Sequence, residues 1–214
     1  VTSQQLIYSD WSRLLFWNSP KTLVDFQAAD GVIGELDFKT RQGSFVGFGR
    51  LRSDGRGRLW TVKGGNGREA KILAFQLPLT TGESPVVTIS APLPVLGGGT
   101  LTWTWWLYLG GIAYQPSCDC LWLSDSEYNR VFRIRDVSTA PLVDIVLGQT
   151  NLSGIHCNQG RDSDDGYIHP VSPSQDSLCH PGALAIDNAG NLSVADNNLE
   201  IAGNNRLLQF EADE

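Results

Sequence analysis

The amino-acid sequence predicts an all-β protein, a β-propeller of four-stranded antiparallel blades, and three observations carry that expectation. One unit of short apolar runs recurs four times along the chain. The runs are bounded by Gly, Asn, Asp and Ser turns, and none holds a helical period for long, so strands joined by hairpins are indicated. The composition agrees: 23 Gly, 10 Pro and 7 Trp accompany a charged fraction of 18%, against about 25% in an ordinary globular chain.

The clearest unit reads Gly111-Ile112-Ala113-Tyr114, then Leu121-Trp122-Leu123-Ser124-Asp125, then Asn129-Arg130-Val131-Phe132-Arg133-Ile134. A second strong copy is Gly182 to Asp187, Asn191 to Asp196, and Asn204-Asn205-Arg206-Leu207-Leu208-Gln209-Phe210. A third runs through Arg58-Leu59-Trp60-Thr61-Val62 and Lys71 to Phe75, with Lys71 in the place of the repeat arginine. The fourth opens the chain as Leu6 to Asp10, Arg13 to Asn18, and Thr22 to Phe26. Taking Leu14, Leu59, Leu121 and Leu192 as equivalent, the unit is constant and its connecting loops vary. The segment Val32 to Phe38 corresponds to Val146 to Leu152 and supplies an outer strand. Blades are expected at roughly 1–38, 44–90, 107–150 and 181–214, with insertions at 91–106 and 151–180. A lone four-stranded unit cannot bury both faces, so copies must stack, and the radial solution keeps edges short. The competing reading is a β-sandwich with chance similarity between strands.

These units resemble the NHL family of β-propellers, in which Gly-φ-Ala-φ-Asp, a strand ending in Asp, and Asn-Arg-φ-φ follow one another. The match is specific at 110–135 and 181–210, moderate at 46–76 and weak at 6–26. The resemblance implies six-bladed rings in many relatives and a platform role in recognising protein, and sometimes RNA or carbohydrate. Only four units are visible here, and the last stops after its third strand. Val1 to Gln5 could complete that blade and close a four-bladed ring; the alternative is a larger ring or pairing with another chain.

Among polar residues, Asp125 with Asn129 and Arg130, and Asp196 with Asn205 and Arg206, recur as a set. A catalytic residue is needed once and a scaffold residue once per blade, so a structural role is expected: the Asp accepts from the hairpin backbone and the arginine fork ties it to a neighbouring blade. The four cysteines stand at 118, 120, 157 and 179. A Cys157–Cys179 disulfide would staple the intervening polar loop, an effect worth roughly 3 kcal/mol. The sharper alternative is zinc held by His156, Cys157, Cys179 and His180, but adjacent residues seldom both face one ion. Asp162, Asp164 and Asp165 before Gly166 miss the EF-hand spacing, so a solvated acidic loop is expected. Cys118 and Cys120 leave open a short disulfide, free thiols or bonds to a partner chain. Trp103, Trp105, Trp106 and Tyr108 alternate as one aromatic face, either blade packing or an anchor for a partner. Tyr167 and His169 join them as candidate interface residues on the loop 151–180. Two triplets, Asn151-Leu152-Ser153 and Asn191-Leu192-Ser193, fit the glycosylation sequon.

No catalytic site, metal site or cofactor is expected. The net charge of −7 with scattered basic residues gives nucleic-acid binding no evident source, and no apolar run approaches the length of a membrane span. An even cysteine count, few lysines and no Met fit an extracellular or periplasmic product, either matured by removal of a signal or part of something longer. The leading expectation is a secreted, non-catalytic protein-interaction module or assembly subunit. The alternatives are a propeller lyase or hydrolase with a carboxylate-bound metal in the central channel, and a unit of a surface layer or filament. All three His lie within 156–180, so a histidine ring from several blades is impossible.

Overall fold

The structure, a computed structural model, describes residues 4–39, 47–65, 68–104, 107, 110–159, 172–197 and 204–211. It is all-β, and the described residues form four antiparallel sheets of three or four strands that follow one another in the chain, with one two-stranded sheet between the second and third. The first holds β1 (Leu6–Asp10), β2 (Arg13–Trp17) and β3 (Gly31–Ile33). The second holds β4 (Phe48–Ser53), β5 (Arg58–Gly65), β6 (Arg68–Gln76) and β7 (Val87–Ser90). A small hairpin, β8 (Leu93–Pro94) with β9 (Thr100–Leu101), precedes the third sheet. That sheet holds β10 (Ile112–Gln115), β11 (Cys120–Asp125), β12 (Arg130–Arg135) and β13 (Leu142–Leu147). The last comprises β14 (Pro181–Ile186), β15 (Leu192–Asp196) and β16 (Arg206–Phe210). Every sheet is a meander in which each strand pairs with the one before it.

Turn chemistry fixes the first hairpin of three sheets. Asp54 Oδ1 accepts the amides of Arg56 and Arg58 at 2.7 and 3.1 Å, and Gly57 takes φ 88°. Asp187 Oδ1 accepts those of Ala189 and Asn191, both at 2.9 Å, and Gly190 takes φ 92°. Between β10 and β11 the left-handed position falls on Asp119, φ 49°, a conformation that short polar side chains tolerate.

Because strand side chains alternate, each inner sheet offers two apolar faces, and three layers of core result. Leu14, Phe16 and Ile33 pack on Leu59, Leu73 and Phe75 between the first and second sheets. Trp60, Val62 and Ile72 meet Leu121, Leu123, Phe132 and Ile134 between the second and third. Trp122, Val131 and Ala113 meet Leu192 and Val194, with Leu184 and Leu208 alongside, between the third and fourth. Neighbouring sheets also approach through their leading strands, β1 on β4, β4 on β10 and β10 on β14. Gly111 N donates to Gly182 O at 3.1 Å across the last of these contacts. A Cβ on Gly111 would sit 2.5 Å from that same oxygen, and one on Gly110 would sit 1.8 Å from Ser124 O.

The first sheet is out of phase with the expected alignment by one strand. Leu14 faces the following sheet, whereas Leu59, Leu121 and Leu192 each face the preceding one, so Leu14 is not their equivalent. The ion pairs give the true correspondence: Asp10 sits opposite Arg13 as Asp125 sits opposite Arg130 and Asp196 opposite Arg206. Arg13 donates to Phe38 O at 2.9 Å, and Arg130 donates to Leu152 O at 3.1 Å. The amide of Lys39 bonds Asp37 Oδ1 as the amide of Ser153 bonds Asn151 Oδ1. β1, β2 and β3 therefore match β11, β12 and β13, and among the described residues the first sheet has no counterpart of β10.

One further expectation is corrected. The strand expected at Thr22 to Phe26 is absent: Pro20–Thr22 forms a 3-10 turn, Phe26 takes φ 63°, and β3 occupies the third place in the sheet. The insertion at 91–106 carries β8 and β9 and buries Leu93, Leu101 and Trp103 in the central core. Of the segment Val1 to Gln5, named above as one way to complete the last blade, Val1, Thr2 and Ser3 lie outside the described residues. Gln5 is occupied elsewhere, donating to Asn18 Oδ1 and Leu79 O and accepting from Leu79 N.

Candidate functional site

The repeated Asp and Arg residues form clamps at the mouths of hairpins. Asp125 is fully buried and receives Arg130 through Nε at 3.2 Å and Nη2 at 3.1 Å. The rest of the fork donates to the carbonyls of Leu152 and Thr102. Burial pushes Asp125 up to about 6 although Arg130 pulls it the other way, as desolvation of a buried pair demands. Asp196 receives Arg206 Nε at 2.9 Å, and Arg206 Nη2 donates to Ser177 O at 2.7 Å. Arg206 thus holds the segment that leads into its own sheet, and Arg130 holds both the segment leading into its sheet, at Thr102, and the one leaving it, at Leu152. These bonds run to connecting segments and not to a strand of a neighbouring sheet, and the expected arginine tie is corrected to that extent. That link is made by Asn129 and Ser124: Asn129 Oδ1 accepts His180 N at 2.7 Å and Ser124 Oγ donates to Gly182 O at 2.6 Å. Asn129 and Asn205 take φ 50° and 49°, so the asparagine before each arginine closes its hairpin in the left-handed region that this residue type tolerates.

The second sheet lacks the pair, and Lys63 stands opposite Lys71 at the equivalent place. Burial lowers the Lys63 ammonium below its ordinary value, partly countered by Glu35, and Lys63 Nζ lies 5.0 Å from the Phe48 ring centroid.

Cys157 and Cys179 are joined in a disulfide, as are Cys118 and Cys120. The first sits over the β15–β16 hairpin: Cys179 N donates to Asp196 Oδ1 at 2.7 Å, and Asn204 Nδ2 donates to Asn158 Oδ1 and Asp196 Oδ2, both at 2.7 Å. Paired sulfurs are not thiolates, so the zinc arrangement with His156 and His180 loses two of its four ligands. Among the described residues no group of three or more His, Cys, Asp or Glu side chains converges to hold a metal.

A polar tie links the second and third sheets at their opposite end. Arg58 donates to Asp54 and reaches Asp119 Oδ1 at 3.1 Å, while Tyr114 OH donates to the same oxygen at 2.7 Å and Ser138 N to Oδ2 at 3.2 Å. Burial raises Asp54 and Asp119, but the donors around them win and hold both below the usual carboxylate range. Burial, with the bond to Asp119, pushes Tyr114 up to about 12.

The expected aromatic interface divides. Trp103 is 2% exposed, stacks on Phe132 with ring centroids 5.6 Å apart, and donates Nε1 to Ala70 O at 2.8 Å. It is core, and the interface role is corrected. Trp105, Trp106, Tyr108, Tyr167 and His169 lie outside the described residues, as does the acidic loop at Asp162, Asp164 and Asp165. The accessible apolar surface lies elsewhere. Among the described residues, seven of the eleven large apolar side chains left exposed fall within 6–38, including Tyr8, Trp11, Val24, Phe26 and Leu36. Sequence reasoning missed this surface, because reading Leu6 to Asp10 as an inner strand assigned its residues to packing. The signal was present in Leu6, Tyr8, Leu15 and Trp17, apolar residues that share one face of β1 and β2.

The described polar residues are thus engaged in holding sheets together, and apolar side chains gather at one end of the stack. Comparison of the chain with protein-family models and with curated proteins gives no match to either.

Proposed function

We propose that this chain is an NHL-type β-propeller segment, secreted into an oxidising compartment, that acts as a non-catalytic interaction module or subunit of a larger assembly. The observation that carries the reading is the division of labour between side chains. The recurring carboxylates Asp10, Asp125 and Asp196 are each spent on an arginine of their own hairpin. Large apolar side chains, in contrast, are left on the surface of the first sheet and its following loop, with Trp11 at 68% and Phe26 at 105% exposure. Exposed apolar residues gathered in one region are the usual mark of a protein-binding surface. Two disulfides and the successive meanders stacked by their leading strands agree with secretion and with radial stacking.

A side-by-side capture tests the reading. Wild-type chain and a Trp11→Ser/Phe26→Ser variant, both shown to fold by circular dichroism, are incubated with the extracellular fraction of the source cells. A protein retained by the wild type, lost by the variant and rebinding directly once purified supports it. Equal retention by both chains, or a stoichiometric metal whose removal abolishes a measured hydrolase or lyase activity, overturns it.

A further inference from the structure

The two ends of the stack present faces that carry exposed apolar side chains. On the first sheet, Leu6 and Tyr8 of β1 share a face with Leu15 and Trp17 of β2. By the ion-pair alignment these are the counterparts of Leu121, Leu123, Phe132 and Ile134. In the third sheet all four of those are fully buried against the second sheet. In the first sheet Leu6 remains 45% and Tyr8 60% exposed. The last sheet is the mirror case. Ala183, Ala185, Ala195 and Leu207 point away from the third sheet, and Leu207 is 71% exposed. Their counterparts include Ala113 and Val131, which the third sheet buries against the fourth.

We propose that the exposed face of β1 and β2 is an interface for a second copy of this chain, which covers it with the exposed face of its own β14–β16 sheet. The proposal rests on the assembly reading above and names the surface and the partner. Continuity with the internal interfaces selects this occupant. In the central layer, Leu121, Leu123, Phe132 and Ile134 of the third sheet lie against Trp60, Val62, Ala70, Ile72 and Ala74 of the second. The first sheet offers the counterpart of the face that the third turns to the second, and the last sheet offers the counterpart of the face that the third turns to the fourth. A contact between unlike ends therefore repeats the internal arrangement. Pairing two first sheets, or two last sheets, repeats no contact inside the molecule. The charged residues on the first of these faces, Asp10 and Arg13, are paired with each other. The contact uses two different surfaces, so each copy retains one of each, and association proceeds to a closed ring or an open array.

Sedimentation of the purified chain over a wide concentration range, with Tyr8→Lys and Leu207→Glu variants beside the wild type, tests this. Both substitutions fall on exposed positions, and thermal melts establish that the variants fold. The wild type is expected to associate, and each variant to weaken association by roughly tenfold or more. A mixture of the two variants is expected to recover it, because lysine then faces glutamate across one contact and the other is native. A wild type that stays monomeric overturns the proposal, as does association indifferent to both variants or sensitive to one alone. A monomer that still captures a protein through Trp11 and Phe26 sinks this inference and leaves the proposed function standing.

Discussion

Arg58 Nη2 lies 3.1 Å from Asp119 Oδ1, so a guanidinium rooted in the second sheet is held by a carboxylate of the third. The same guanidinium neutralises Asp54, whose side chain is fully buried. Removing one partner of a buried pair strands the other. Arg58→Met is therefore expected to cost about 3 kcal/mol in urea unfolding. Arg58→Lys should recover only part of that, because an ammonium cannot fork between two carboxylates. A loss within experimental error for Arg58→Met would show that the tie contributes nothing.

The acid limb of stability should have two opposing parts. Asp54 and Asp119 are held below the ordinary carboxylate value, so the stability they lend is present above that value and lost as the pH falls beneath it. Asp125 is raised to about 6. Between about pH 4 and 6 the folded chain keeps a proton there that the unfolded chain has released, so this contribution falls as the pH rises through that window. Thermal melts from pH 3 to 7 should show a flatter profile between pH 4 and 6 for Asp125→Asn. For Asp119→Asn they should show a shallower loss at the acid end.

The alkaline side offers a separate check. Tyr114 is raised to about 12, so the folded chain keeps its phenol proton where an unfolded tyrosine loses it at about 10. Stability contributed by this group is complete below that value and disappears as the pH climbs toward the folded one. Ultraviolet titration of phenolate should show one tyrosine appearing late, and Tyr114→Phe should remove it.

Arg130 donates to Asp125 Oδ2 and to two backbone carbonyls from inside the core. Arg130→Met leaves all three without their donor and should destabilise by about 3 kcal/mol or more. Adding Asp125→Leu should restore part of the loss, since an apolar pair has no desolvation cost. A double variant no better than the single one would place the damage in the carbonyls of Thr102 and Leu152 instead.

Trp103 fills the central core although it lies in a segment that reads as an insertion. Trp103→Ala should cost about 3 to 5 kcal/mol, whereas Leu96→Ala, at an exposed position in the same segment, should be nearly silent. Denaturant midpoints of the two variants decide the matter.

The order of strands was largely legible, because alternation and turn residues are local properties: β5, β6, β10 to β12 and β14 to β16 fall where the repeat predicts them. The first sheet departs from the expected alignment because Leu14, in β2, resembles Leu59, Leu121 and Leu192 in sequence, whereas the Asp10–Arg13 pair puts β1 in their place. A shift of one strand moves every assignment of inward and outward face, which is why the apolar surface on β1 and β2 escaped notice. The role of Thr102 and Leu152 in receiving Arg130 was not legible at all, since a backbone carbonyl has no signature in sequence. Nor was the stapled loop's anchorage, which depends on Asn158 and Asn204 meeting across 46 positions.

The close passage of Gly111 beside Gly182 bears on how the stack curves. Two backbones can touch there only because a methyl group is missing on one of them, so the spacing of the third and fourth sheets is set by a hydrogen atom. An alanine at 111 would act as a wedge between them, splaying the two sheets apart while every outer strand kept its own partners.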